Sequence, residues 1–267
     1  MEITERAGRF GAVGETDNDF SEYVSKVPQV TLVFWIIKVL ATTLGETGGD
    51  AVSMSMNLGY LVSTLIFGVI FAAAVAAQIK ASKYHPFLYW LTIVATTTVG
   101  TTLADFADRS LGIGYTGGAS ILLVCVVGSL LVWKWSLGTV SVESVRTTKA
   151  EIFYWVTIMF SQTLGTALGD WVADDAGLEY AGAAILFGGL LLVVVGLYFF
   201  TSVSRTLLFW IAFILTRPLG AVVGDLLDKP VEDGGLAFSR YTASIILLVL
   251  MVLFIWLFPS KPAEEAH

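Results

Sequence analysis

Carboxylates set among small residues are the feature of this sequence with the clearest chemical potential. In the stretch TLGETGGD, residues 43–50, Glu46 and Asp50 lie four residues apart among three glycines. Related stretches occupy residues 98–105 (TVGTTLAD), 163–170 (TLGTALGD) and 218–225 (PLGAVVGD). Carboxylate, hydroxyl and free carbonyl oxygens are ligands for hard cations such as Mg²⁺, Ca²⁺ and Mn²⁺. Carboxylates held close together also raise one another's pKa, so such a group can exchange protons.

The four stretches belong to an internal repeat that is anchored on tryptophan. Glycine comes 10 residues after each repeat tryptophan, a small residue 14 residues after it, and aspartate 15 residues after it. The tryptophans are Trp35, Trp90, Trp155 and Trp210. The repeat aspartates are Asp50, Asp105, Asp170 and Asp225. The tryptophan spacings of 55, 65 and 55 residues indicate two halves of two repeats each.

A polar stripe leads from each tryptophan to its aspartate. Residues 7, 11 and 15 positions after the tryptophan fall on one helical face. Besides the aspartates, these positions hold Thr42, Glu46, Thr97, Thr101, Gln162, Thr166, Arg217 and Ala221. A polar stripe in a membrane helix must face protein or water. We therefore expect Glu46 and the four repeat aspartates to bind a metal cation in a shared outward-facing cavity. The cavity would be lined by Thr42, Thr97, Thr101, Gln162 and Thr166.

Two cations lie at membrane depth. Lys38 follows Trp35 by three residues, and Arg217 precedes Pro218. Lys38 is near enough to one membrane face to extend its ammonium group there, which is an alternative to pairing inside the protein. Arg217 lies deeper, so we expect it to pair with a carboxylate of the repeats. Both residues are predicted to serve in charge pairing or gating, and Pro218 to kink its helix.

Composition predicts the elements that position these residues. Hydrophobic residues make up 56% of the 267, charged residues only 14%, and the mean hydropathy is +0.79. This is typical of an all-α membrane protein. We predict eight transmembrane helices in four parallel-oriented two-helix repeats with pseudo-two-fold halves. The predicted helices cover residues 30–50, 57–79, 86–105, 117–135, 151–170, 180–200, 206–226 and 240–258. The repeat tryptophans are expected in the inner interfacial belt, and the aspartates toward the outside.

Charge asymmetry between the loops predicts the topology. Most Lys and Arg residues fall on the side of the termini, which places both termini in the cytoplasm of a bacterial inner membrane. The N-terminus lacks the pattern of a signal peptide. The predicted division is a cytoplasmic segment 1–29, a membrane half 30–135, a cytoplasmic linker 136–150, a second half 151–258 and a cytoplasmic tail 259–267.

The repeated unit resembles a known family. The stretch KVPQVTLVFWIIKVLATTLGETGGD, with its tryptophan-bearing two-helix unit, resembles bacterial membrane proteins built from four tandem repeats of unknown function. These are often labelled uncharacterised membrane-anchored proteins. The resemblance covers residues 26–258 and implies the eight-helix plan, but it implies no activity. The stretch is also similar to cation/proton exchangers with a Glu-x-Gly-Asp motif, although Glu-Thr-Gly-Gly-Asp here is one residue longer and those exchangers use inverted repeats.

The remaining composition narrows the function. One cysteine and two histidines argue against a zinc site, and a net charge of −7 argues against nucleic-acid binding. No nucleophile–base constellation is recognisable, so we expect neither an enzyme nor a resident cofactor. The favoured function is a secondary transporter, an exporter of Mn²⁺, Mg²⁺ or Ca²⁺ coupled to protons. The alternative is a non-transporting membrane scaffold or sensor. Expected partners are the lipid bilayer, the cation and protons, and a homo-oligomer is left open.

Overall fold

The computed structural model describes residues 25–263, and within them the fold is all-α. The eight α-helices are α1 (Leu32–Asp50), α2 (Gly59–Lys80), α3 (Pro86–Asp105), α4 (Tyr115–Leu137), α5 (Thr148–Asp170), α6 (Glu179–Phe200), α7 (Arg205–Asp228) and α8 (Arg240–Leu257). Every predicted helix is present, with each end within three residues of its predicted position. Residues 1–24 of the predicted N-terminal segment and 264–267 of the predicted tail lie outside the described residues.

Seven of these eight helices are long and apolar enough to cross a membrane. The helix that does not qualify is α5, whose 23 residues suffice in length but include several polar side chains. Its neighbours explain how a polar helix is accommodated, because α5 packs against α3, α4 and α7 and buries most of its polar residues. The chain therefore has the helices of a membrane protein.

The first helices of the four repeats form a closed ring. Helix α1 packs on α3, α3 on α5, α5 on α7, and α7 on α1. The second helices lie outside this ring, where α2 packs on α3, α4 on α5, α6 on α7 and α8 on α1. Each second helix thus covers the first helix of the following repeat. Burial follows the same division, since 72% of the apolar window of α3 is buried but only 11% of that of α2.

The repeated glycines allow the ring helices to approach closely. At each contact between first helices, a glycine faces a stripe residue of the next repeat: Gly45 faces Thr97, Gly100 faces Gln162, Gly165 faces Arg217, and Gly220 faces Thr42. A Cβ at any of these glycines would fall within 3.1 Å of a neighbouring side chain. Small residues spaced by four let membrane helices pack at short distance. The glycines that follow each repeat tryptophan therefore serve the close packing of the ring helices.

Threonine hydroxyls reinforce two of these contacts. Thr97 Oγ1 lies 3.2 Å from the carbonyl oxygen of Ala41, and Thr42 Oγ1 lies 3.2 Å from that of Thr216. Each hydroxyl can therefore donate to the backbone of the neighbouring ring helix as well as to its own helix. Hydrogen bonds of this kind between membrane helices contribute about 0.6–2 kcal/mol each. They fix the register that brings the polar stripes to the same level.

We expect Gly45→Ala to destabilise the protein by about 1–3 kcal/mol, because the added methyl overlaps the Thr97 side chain in a closely packed contact. Gly68→Ala is the matched control, since Gly68 lies on α2 with open space around its Cβ position. That control should be neutral or stabilising by up to about 1 kcal/mol, because alanine favours helix. Reversible unfolding of the purified protein in mixed micelles measures both. Equal effects of the two substitutions would contradict the packing described here.

Aromatic side chains close one end of the ring, which we call the tryptophan end. Trp90, Trp155 and Trp210 are at most 3% exposed and pack in the main hydrophobic core. The hydroxyls of Tyr89 and Tyr154 are 2.6 Å apart within this core. The prediction that the repeat tryptophans lie in an interfacial belt is therefore wrong for these three. The second helices and the loops shield them from the surface that the belt would require.

Candidate functional site

The polar stripes converge on the axis of the ring as four layers of four side chains, none more than 3% exposed. From the tryptophan end, the lysine layer is Lys38, Ile93, Ile158 and Phe213. The arginine layer is Thr42, Thr97, Gln162 and Arg217. The glutamate layer is Glu46, Thr101, Thr166 and Ala221. The aspartate layer holds the four repeat aspartates and defines the aspartate end. The predicted stripes thus face protein throughout.

Arg217 connects all four ring helices. Its Nη1 donates to Glu46 Oε2 at 3.0 Å, and its Nη2 donates to Thr101 Oγ1 at 2.6 Å. Nη2 also donates to Thr166 Oγ1. The guanidinium group therefore binds one side chain from each of the other three first helices. The predicted pairing of Arg217 with a carboxylate of the repeats is confirmed, and the partner is Glu46.

Lys38 is placed differently from both expectations for it. Its side chain is fully buried, so it does not extend to the membrane face. Its Nζ has no hydrogen-bond partner among the described residues and lies 4.2 Å from the ring centroid of Phe213. The expected charge pairing of Lys38 is therefore wrong, and the contact it makes instead is with an aromatic face.

Two cations join the repeat aspartates in pairs. Arg109 Nε lies 3.0 Å from Asp105 Oδ1, and Arg109 Nη2 lies 3.6 Å from Asp170 Oδ2. Lys229 Nζ lies 2.7 Å from Asp50 Oδ2 and 3.0 Å from Asp225 Oδ1. We call these contacts the Arg109 clasp and the Lys229 clasp. The first joins α3 to α5, and the second joins α7 to α1.

A third cation and two further carboxylates complete the aspartate end. Arg240 Nε lies 3.4 Å from Asp228 Oδ2 and 3.8 Å from Asp50 Oδ2. Asp108 and Asp228 are each 7% exposed, rather than solvated as loop acids ordinarily are. One carboxylate oxygen from each of Asp50, Asp225 and Asp228 lies within 4.8 Å of the others, a grouping that a metal ion could occupy.

The clasp cations Arg109 and Lys229 were not among the predicted site residues, although a sequence pattern indicates them. Asp108–Arg109 and Asp228–Lys229 occupy the same offsets, 18 and 19 residues after the tryptophans of repeats 2 and 4. At the cation position, repeats 1 and 3 have Met54 and Asp174. An acidic residue followed directly by a basic one occurs only in repeats 2 and 4. This pattern predicts ion pairs at two of the four ring contacts.

The predicted metal ligands are brought together only in part. Asp50 and Asp225 meet through Lys229 and are joined by the unpredicted Asp228. Asp105 and Asp170 meet separately at Arg109, and Glu46 pairs with Arg217. The expected outward-facing cavity is not open in this structure, because the repeat aspartates are 1–3% exposed and the predicted lining residues fully buried. The lining residues are Thr42, Thr97, Thr101, Gln162 and Thr166.

Three of the repeat aspartates mark a change in helical winding. Helices α1, α3 and α5 each end at a repeat aspartate and continue as a five-residue π-helical turn, at Ala51–Ser55, Phe106–Ser110 and Trp171–Asp175. Single π-helical turns are rare and occur frequently at functional sites. In α7 the α-helix instead runs past Asp225 to Asp228.

Charge is unbalanced at the aspartate end. Six buried carboxylates lie there, namely Asp50, Asp105, Asp108, Asp170, Asp225 and Asp228. Three cations accompany them, namely Arg109, Lys229 and Arg240. Buried carboxylates without a counter-charge must take up protons or a cation, because ionised groups are poorly solvated there. The arrangement can therefore bind and release positive charge.

Comparison with known proteins identifies the repeat. Residues 33–84, 88–139, 153–204 and 208–261 each match the Repeat of Unknown Function (DUF347). Each match begins close to a repeat tryptophan and spans one two-helix unit, as the sequence predicted. No curated protein and no solved structure gives a significant match. With four consecutive copies along most of its length, the chain belongs to the family defined by this repeat.

Proposed function

We propose that this protein is a secondary transporter that exchanges a hard divalent cation, such as Mn²⁺, for protons. The observation that carries the proposal is the excess of buried carboxylates at one end of a polar axial column. Oxygen ligands of this kind select Mg²⁺, Ca²⁺ or Mn²⁺ over softer metals. Intramembrane ionisable groups mark ion pathways and proton relays in pumps and transporters.

The proposed topology has all eight helices crossing the membrane, with α5 carried through by its neighbours in the ring. Contacts between first helices support parallel repeats, since Gly45 faces Thr97 and Gly49, one turn later, faces Thr101. The two clasps at equivalent positions support pseudo-two-fold halves. The ends of the described chain, which pair at Pro28 and Pro262, lie at the tryptophan end. This end would be cytoplasmic, so that export runs toward the aspartate end.

Lys229 acts in this proposal as a tethered replacement for the transported ion. Its ammonium group lies between Asp50 and Asp225, where the carboxylate oxygens of Asp50, Asp225 and Asp228 converge. An arriving divalent cation displaces the lysine and is bound by the three carboxylates. When the cation leaves, the lysine returns and the remaining carboxylates are neutralised by protons. This cycle couples the movement of the cation to an opposite movement of protons.

The clasps also define which contacts open. The ring contacts α3–α5 and α7–α1 carry a clasp, whereas α1–α3 and α5–α7 have none among the described residues. One moving body would be α2–α5, and the other α6–α8 with α1. The π-helical turns Ala51–Ser55 and Trp171–Asp175 lie at the two chain connections between these bodies. The axis would then open along the two contacts that lack a clasp.

A disulfide across one of these contacts tests the division. A Cβ placed on Gly169 would lie 3.3 Å from Ala221 Cβ, slightly closer than the range of about 3.5–4.5 Å found in disulfides. We expect Gly169→Cys/Ala221→Cys, in a Cys125→Ala background, to lose ion flux on oxidation and to regain it on reduction. Both single-cysteine variants serve as controls. Undiminished flux in the fully cross-linked protein would show that α5 and α7 do not separate.

The second candidate function is a non-transporting membrane scaffold or sensor. The specific observation in its favour is that every repeat aspartate has a cation partner and is buried. A scaffold would keep these pairs closed permanently. A transporter must open them to water on each side in turn.

Water access to Thr166 distinguishes the two functions. Thr166 is fully buried in the glutamate layer, and Thr166→Cys with Cys125→Ala provides a single thiol there. We expect a small charged thiol reagent to label it in liposomes from both membrane faces, and Mn²⁺ to slow labelling from the aspartate end. The exposed Asp233→Cys is the positive control. If position 166 stays unlabelled while position 233 reacts completely, the transporter proposal fails and the scaffold replaces it.

A further inference from the structure

The Lys38 amine is buried without a carboxylate partner among the described residues. The residue is fully buried, and its Nζ has no hydrogen-bond partner among the described residues. An ammonium group has three N–H donors, and leaving it unpaired in a low-dielectric interior carries a large desolvation penalty. The Phe213 face, 4.2 Å from Nζ, offsets only part of that penalty. A further partner is needed if the lysine is charged.

Other buried polar atoms near the same level also lack partners. Arg217 Nε and both polar atoms of the Gln162 amide are buried without a hydrogen bond, and the two residues share the arginine layer. The hydroxyls of Ser161 and Thr157, on the helix that carries Gln162, are likewise unpartnered. Buried polar atoms in native proteins almost always have a partner, in protein, water or a bound ion. The unpartnered atoms of Gln162 and Arg217 lie in the layer next to Lys38, which indicates that something binds on the axis there.

Charge and size restrict what the bound group can be. Across the lysine, arginine and glutamate layers, Lys38 and Arg217 are opposed by one carboxylate, Glu46. One negative charge restores the balance. Ile93 and Ile158 share the lysine layer with Lys38 and are fully buried, so a group bound beside Lys38 must be small. The donors are ammonium, guanidinium and amide N–H groups, which bind anions.

We infer that a halide-sized monovalent anion binds on the ring axis between Lys38 and Arg217, with Gln162 as a further donor. This site is separate from the carboxylates at the aspartate end. It does not rest on the proposed transport of a cation, because the Lys38 amine is buried without a partner in a scaffold as well. The anion holds the lysine and arginine layers together and keeps Arg217 oriented toward Glu46.

A cavity lies at the tryptophan end, on the same side of the ring as the lysine layer. The cavity has a volume of about 360 Å³, and Phe34, Ile37 and Trp90 are among its lining residues. Ile37 directly precedes Lys38, and Trp90 lies one turn before Ile93 of the lysine layer. Lys261 also lines the cavity and supplies positive charge. Carboxylates at the opposite end repel anions, so access from the tryptophan end is favoured.

Halide-dependent stability tests the inference on the purified full-length protein. Sodium gluconate is replaced by sodium chloride or bromide at constant ionic strength, and the thermal unfolding midpoint is followed. We expect a saturable rise of about 3 °C for the wild type with either halide, because binding stabilises the folded state. Lys38→Met should abolish the rise and should raise the midpoint in gluconate, since it removes an unpaired charge. Lys261→Met is the matched control and should keep the response at saturating halide.

Direct detection complements the unfolding experiment. The ³⁵Cl NMR line of chloride should broaden with wild-type protein and sharpen when bromide competes. If Lys38→Met does not fold, this measurement on the wild type alone decides the matter. Absence of saturable broadening, or a halide response in Lys38→Met equal to that of the wild type, would overturn the inference and indicate a neutral Lys38.

Discussion

Arg217→Met is expected to destabilise the protein by about 3–5 kcal/mol, because it leaves the Glu46 carboxylate buried without its partner. The same substitution removes the hydrogen bonds to Thr101 and Thr166, so the links from α7 to α1, α3 and α5 are weakened at once. No other ring residue is described with side-chain partners on all three other first helices. Unfolding of the purified protein in mixed micelles gives the free-energy difference.

The double variant Glu46→Gln/Arg217→Met is the control for this prediction. Removing both charges abolishes the penalty of an unpaired buried ion, so the double variant should recover most of the lost stability. Glu46→Gln alone should be destabilising as well, since it leaves Arg217 unpaired. A double variant whose loss equals the sum of the two single losses would show that Glu46 and Arg217 do not act as a pair.

Asp50→Asn is expected to abolish cation flux while leaving the protein folded. Asp50 contacts both Lys229 and Arg240 and shares the oxygen grouping with Asp225 and Asp228, so its charge is central to the proposed cation site. The amide keeps the shape but loses the charge that binds a divalent cation. Asp174→Asn is the matched control, because Asp174 is exposed and lies on the π-helical turn of the third repeat.

Flux in liposomes and manganese tolerance of cells that express each variant measure this prediction. The control should behave as the wild type in both assays, and Asp50→Asn should equal empty liposomes. Folding is checked by the unfolding midpoint, which distinguishes loss of the site from loss of the protein. Wild-type flux in Asp50→Asn would remove Asp50 from the cation pathway.

The sequence predicted the helices and the four repeats because both depend on patterns that recur within it. Glycine and aspartate at constant offsets from tryptophan report contacts that each repeat makes with the next. Gly45 packs against Thr97, and an equivalent glycine packs against a stripe residue at each of the other three ring contacts. The sequence predicted a carboxylate partner for Arg217 because a charged side chain deep in a membrane is stable only when it is paired or faces water.

Other features depend on contacts that no single repeat encodes. Asp108 is buried partly because Gly118, on the next helix, leaves room for its carboxylate. Trp90 and Trp155 are removed from the membrane interface by the packing of neighbouring repeats, whereas the interfacial expectation treats each helix separately. Arg109 and Lys229 close the aspartate end by pairing with the repeat aspartates. Both cations lie just past the end of an α-helix, where the helical pattern of the sequence no longer predicts which side chains meet.

The carboxylates at the aspartate end are proposed to exchange a divalent cation for protons across the membrane. The most direct test is the purified protein in liposomes that contain both a Mn²⁺-sensitive and a pH-sensitive dye. With a pH gradient and no Mn²⁺ gradient, we predict that Mn²⁺ moves against the direction of the protons, and that dissipating the gradient stops it. Mg²⁺ and Ca²⁺ should compete if they share the site. If the pH gradient moves none of the three ions faster than in protein-free liposomes, the claim is contradicted.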